Sequence, residues 1–174
     1  MKRALFIIVA AWLFTVSMAR AQTPRAADPS SAAVMARFDR RIVKEFREAW
    51  RRAGNGTTAV EAVILLVRDA AGNCKVISIP ATNENRQMTF QWQPGTIAII
   101  HTHPNRNDPG PSPADVQIAD RFHVPMFTLT IKGMYLYDPA TKAVSRVQPG
   151  IDWMEEAKWA RYAPMLARQL ATHQ

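Results

Sequence analysis

Gly95-Thr-Ile-Ala-Ile-Ile-His101-Thr102-His103-Pro104, followed after a polar loop by Pro111-Ser112-Pro113-Ala114-Asp115, decides the reading of this chain. The β-branched apolar run opens after Pro94-Gly95 and reads as a buried strand. Side chains at i and i+2 of a strand share a face, so His101 and His103 aim at one point while Thr102 faces away. Asn105-Arg-Asn-Asp-Pro-Gly-Pro111 is dense in turn formers and reads as a loop. Ser112-Pro113 reads as a helix start, with serine at the N-cap and proline at the first helical position. Asp115 falls in that first turn, where the chain can fold it back toward the strand end. Two imidazoles and one carboxylate make a three-ligand site, and three ligands plus a water is the usual arrangement of a catalytic zinc.

Around this stretch, 174 residues suffice for one domain with a sizeable core. Residues 1–21 read as a signal peptide. Lys2 and Arg3 form the positive n-region, Ala4–Met18 the apolar stretch, and Ala19-Arg20-Ala21 a small-x-small cleavage site ahead of Gln22. The alternative, a membrane anchor, needs about 20 apolar residues. Either way the domain is expected to be exported, periplasmic or secreted, with no stable membrane span after cleavage. The formal charge of +8 falls to +5 without the leader, 19 basic residues against 14 acidic. The remaining positive charge is spread rather than run together, apart from Arg37 to Arg52. It reads as a solvated helix face, with an anionic lipid or cell-wall partner as the weaker alternative. No aromatics interleave with it, so no nucleic-acid partner is expected. Cys74 stands alone in the sequence, without partner thiols for a disulfide or a zinc knuckle, and reads as a buried strand residue.

Residues 22–31 read as a flexible tether and 32–174 as one folded domain. Val34, Phe38, Ile42, Val43, Phe46 and Trp50 form one apolar stripe, which predicts a long helix ended by Gly54-Asn55-Gly56. Thr58–Val67 and Cys74–Ile79 read as a hairpin around Arg68–Asn73. Gln87–Trp92 alternates and predicts a third strand, before the histidine strand. Ser112–Phe122 is a short helix. Met126–Ile131, Met134–Tyr137 and Ala143–Val147 read as three further strands. Ile151–Thr172 is amphipathic, with Pro164 expected to kink or split it. His123 and His173 have no matching partners nearby and read as structural or exposed. The pattern is that of a single α+β domain.

Glu61 calls for a separate explanation. A carboxylate inside a strand-like apolar run is costly without a partner. If its strand neighbours the histidine strand, Glu61 can reach a metal-bound water, take its proton and pass it to a leaving amine. The competing reading is a strand-edge glutamate in solvent. Ser112 and Asp115 also have a second reading, because S-x-x-D before a helix is a capping box. The two roles are compatible.

Glu61, His101-Thr-His103-Pro104, Ser112 and Asp115 together resemble the signature of the JAMM (MPN+) metalloprotease superfamily, over roughly 57–147 of the chain. The loop from Pro104 to Pro111 is one residue longer than the family pattern. The resemblance implies one zinc per chain held by His101, His103 and Asp115. It implies Glu61 as general acid/base and Ser112 as the donor that steadies the tetrahedral oxyanion. It also implies a curved mixed β-sheet flanked by helices, similar to the cytidine-deaminase-like architecture. The expected activity is that of a zinc metallopeptidase or isopeptidase acting on a peptide or protein outside the cytoplasm. The competing expectations are a non-catalytic JAMM-like binding or metal-binding domain, and a hydrolase of a non-peptide amide. Substrate identity and oligomeric state are not encoded in any motif.

Overall fold

A computed structural model describes residues 30–79 and 90–160. Its centre is β3 (Thr96–Thr102), buried at every position. A strand covered on both faces must be apolar throughout, and this explains the unbroken Ile97-Ala-Ile-Ile run. β1 (Val63–Arg68) lies antiparallel to one side of β3, and β4 (Met126–Thr130) lies parallel to the other. β2 (Cys74–Ile79) extends the sheet beyond β1, while β5 (Gly133–Asp138) and β6 (Ala143–Pro149) extend it beyond β4. The order is β2-β1-β3-β4-β5-β6, and the described part is a single α+β domain with a six-stranded mixed sheet flanked by helices.

Strand alternation divides the core. Ile64, Leu66, Ile100, Phe127 and Leu129 face α1 (Ser31–Met35) and α2 (Arg40–Arg52), together with Trp153 and Trp159. Val63, Leu65, Ile99 and Met126 face the opposite way, against Ala119 of α3 (Pro113–Phe122). The helix α3 joins β3 to β4. A parallel pair needs such a crossover, and the crossover brings the N-terminus of α3 beside the C-terminal end of β3.

The hairpin β1–β2 and the strands β4, β5 and β6 lie where the pattern placed them. Several expectations are corrected. The first helix is two: Asp39 breaks it, accepting from the backbone N–H of Arg41 and Ile42 as the N-cap of α2. A short polar side chain that satisfies two free helix donors competes with helix continuation. The strand beginning at Thr58 starts instead at Val63. Thr57 and Thr58 turn their hydroxyls onto the carbonyls of Gly54 and Ala53, so this backbone leaves the ladder. Of the expected strand Gln87–Trp92, residues 87–89 lie outside the described residues. Phe90–Trp92 are not strand, and Trp92 stacks on Phe122 instead, with ring centroids 4.0 Å apart. The C-terminal helix is preceded by a 3-10 turn, Asp152–Met154, and the position of Pro164 lies outside the described residues.

The expected signal peptide, 1–21, also lies outside the described residues, and Ser31, expected at the end of the tether, is instead already helical. No described helix is long and apolar enough to cross a membrane. Cys74 is half-buried rather than buried, and its sulfur accepts from Arg37 at 3.3 Å. His123 closes α3 in the left-handed conformation and is exposed.

Candidate metal centre

His101 and His103 leave the C-terminal end of β3 on the α3 face, as their i, i+2 spacing requires. Both are almost fully buried. Their Nε2 atoms stand 3.0 Å apart. Asp115 Oδ2 completes the triangle, 3.4 Å from Nε2 of His101 and 3.5 Å from Nε2 of His103. Three donor atoms of the kinds that ligate metals therefore converge, and this group can hold a metal ion.

Asp115 reaches the histidines because α3 starts where it does. Pro113 opens the helix and Ser112 caps it. The capping box is complete: Asp115 donates its backbone N–H to Ser112 Oγ, and its Oδ2 accepts from the backbone N–H of Ser112 at 2.7 Å. Ser112 Oγ also donates to the same Oδ2 at 2.7 Å. The capping reading of S-x-x-D is met, and the same carboxylate oxygen that serves the cap also faces the histidines. Burial raises the Asp115 carboxyl, but the facing histidines and the Ser112 hydroxyl outweigh it and hold it far below the ordinary carboxylate range. Burial likewise disfavours protonated His103. The hydrogen bond toward Asp115, the Asp108 carbonyl and the charges of Glu61 and Asp115 prevail, and its pKa lies above 6.5.

His103 is held from behind. Its Nδ1 lies 3.0 Å from the carbonyl of Asp108. A carbonyl only accepts, so Nδ1 carries a proton, and in the neutral ring Nε2 keeps its lone pair for the centre. Nδ1 of His101 is buried and has no partner among the described residues.

Glu61 lies two residues before β1 and is half-buried. Antiparallel pairing sets Val63 opposite His101, and continuing that register sets Glu61 at the level of His103 on the same face. Its charge is close enough to help raise His103. A clasp enforces this placement. Thr102 donates its backbone N–H to the carbonyl of Ala62 at 3.0 Å. Its hydroxyl accepts from the backbone N–H of Ala62 at 2.9 Å. Thr102 points away from the centre, as its position in the strand demands, yet it fixes the residue that follows Glu61.

His101, His103, Ser112 and Asp115 therefore meet at one end of β3, and the strand register sets Glu61 level with His103. Sequence reasoning missed the roles of Thr102, of the Asp108 carbonyl and of the loop tether from Thr128. The Thr102 hydroxyl bonds to the backbone of Ala62 and the Thr128 hydroxyl to the Pro109 carbonyl, both distant in the chain, and where the Asp108 carbonyl points within a turn-rich loop has no local signature. No protein-family profile matches this chain, and no curated protein matches it.

Proposed function

We propose that this protein is an exported zinc hydrolase of peptide or isopeptide amide bonds, of the JAMM type. The observation that carries the reading is the triangle of His101 Nε2, His103 Nε2 and Asp115 Oδ2, with sides of 3.0, 3.4 and 3.5 Å, beside Glu61. Tetrahedral ligands on zinc, with Zn–N about 2.0–2.1 Å, stand about 3.3 Å from one another. The spacing of the three donors is close to that of ligands on such an ion.

Zinc in that position supplies Lewis acidity toward a scissile carbonyl and brings the pKa of a water toward about 7. The chain's own residues do the rest. Glu61 accepts the proton of the attacking water and returns it to the leaving nitrogen. Asp115 contributes its negative charge, since the facing histidines and the Ser112 hydroxyl hold its carboxyl ionised well below the ordinary carboxylate range. Ser112, whose hydroxyl donates to Asp115 Oδ2 at rest, would turn that hydrogen bond toward a developing oxyanion at the N-terminus of α3, where the helix dipole also favours it. Asp108 keeps His103 in the tautomer a metal requires.

The test has two stages. Elemental analysis of the protein, refolded and dialysed with zinc, should give about one zinc per chain, and a His101→Ala/His103→Ala double variant should lose it. A peptide-library cleavage screen should then find an activity that Glu61→Gln abolishes. Protein that retains no metal after this treatment overturns the reading.

A further inference from the structure

The loop between the histidines and α3 carries two consecutive anchored carbonyls. The Asp108 carbonyl meets His103 Nδ1 at 3.0 Å, and the next one, on Pro109, accepts from Thr128 Oγ1 at 3.0 Å. Thr128 belongs to β4, is fully buried, and pairs with His101 in the parallel register, so it lies on the same face of the sheet as both histidines. The segment is further restrained within itself. Gly110 donates its backbone N–H to Asp108 Oδ1, and Asn107 donates its own to the Pro104 carbonyl. The connection from Thr128 to the imidazole therefore runs through two successive peptide units joined at Pro109, whose φ is fixed.

We propose that Thr128 is a positioning residue for His103. Its hydroxyl pins the Pro109 carbonyl, and this aims the Asp108 carbonyl at Nδ1. The imidazole is thereby locked as the Nδ1–H tautomer, with the Nε2 lone pair facing His101 and Asp115. The consequence for metal binding rests on the reading of these three residues as ligands. The consequence for the tautomer does not.

Thr128→Val keeps the volume and the strand preference of the side chain but removes the donor. The test compares wild type, Thr128→Val and Thr128→Ser. Long-range nitrogen–proton correlation spectra, recorded on 15N-labelled, chelator-treated protein at alkaline pH, report which ring nitrogen of His103 carries the proton. Competition against a chromophoric chelator reports affinity for zinc and for cobalt. Wild type should show the Nδ1–H tautomer, and Thr128→Val a mixture of the two. The variant's affinity for either ion should be about 10–100-fold weaker, as for other losses of support behind a metal ligand. Thr128→Ser should restore both readouts. Thr128→Ala removes the hydroxyl without adding bulk and replaces the valine variant if that one does not fold. An unchanged His103 tautomer in the hydroxyl-less variant overturns the proposal, as does an unchanged affinity in a protein that binds metal. If wild type binds neither ion yet the tautomer shifts, the metal reading falls and the positioning of His103 by Thr128 stands.

Discussion

Replacing Thr102 by valine tests the link between the fold and the candidate chemistry most directly. Thr102 is fully buried, and its hydroxyl is the acceptor for the backbone N–H of Ala62 at 2.9 Å. Valine fills nearly the same space and suits a strand equally well, so packing is conserved while the acceptor is lost. The Ala62 N–H is then left buried without a partner, which costs about 1–3 kcal/mol. For a domain of this size, each kcal/mol lowers the melting temperature by about 4 °C, so a decrease of about 4–12 °C is expected. Calorimetry on metal-free protein measures it. Amide hydrogen exchange should show Ala62 losing protection relative to its neighbours in β1. The functional effect follows from Glu61, which the clasp places. A positioned general base contributes about 10²–10⁴-fold, so a displaced one should lower kcat by about 10–100-fold with metal content unchanged. Thr102→Ser, which keeps the acceptor, should recover most of the turnover. A valine variant with wild-type melting temperature and wild-type Ala62 protection would show that the hydroxyl does not hold this segment, and the argument for Glu61's placement would fail with it.

Three further outcomes are expected. Glu61→Gln should lower kcat by about 10²–10⁴-fold while zinc content by elemental analysis stays at the wild-type level; turnover within a few-fold of wild type removes Glu61 as the base. Gly56→Ala should destabilise by about 2 kcal/mol or more, read as a denaturant midpoint, because Gly56 has φ +72° and an added Cβ would lie 2.5 Å from Asn105 Oδ1 and 2.6 Å from the Trp50 ring. The pH profile of the metal-free protein should fall on both sides. The folded-state pKa of His103 is raised above 6.5, so its contribution is complete below that pH and is lost as pH rises through the raised value. That of Asp115 lies below 3.8, so its contribution is present above 3.8 and is lost as pH falls toward its folded-state value. Asp115→Asn should flatten both flanks in denaturant titrations with chelator present. Zinc affinity should instead climb with pH through the histidine range, since the ligands must lose their protons.

The sequence alone determined the parts of this centre that are local. Alternation along Thr96–Thr102 places His101 and His103 on one face whatever packs around them, because a strand's side-chain period is two. Ser112-Pro113-Ala114-Asp115 caps a helix wherever it occurs, since its hydrogen bonds close within four residues. Break points were less legible, because they depend on which side chain claims which backbone group. Asp39 capped a new helix inside an unbroken apolar stripe, and Thr58 drew the chain out of a strand-like run. Only the tertiary structure decided that Glu61 stands level with His103. The bond from Ala62 to Thr102 spans 40 residues and the pairing of Val63 with His101 nearly as many, and no local pattern encodes a register. It also decided that two loop carbonyls turn onto His103 and Thr128. A turn-rich segment states only that the chain bends, and where its carbonyls point is fixed by the strands beneath it.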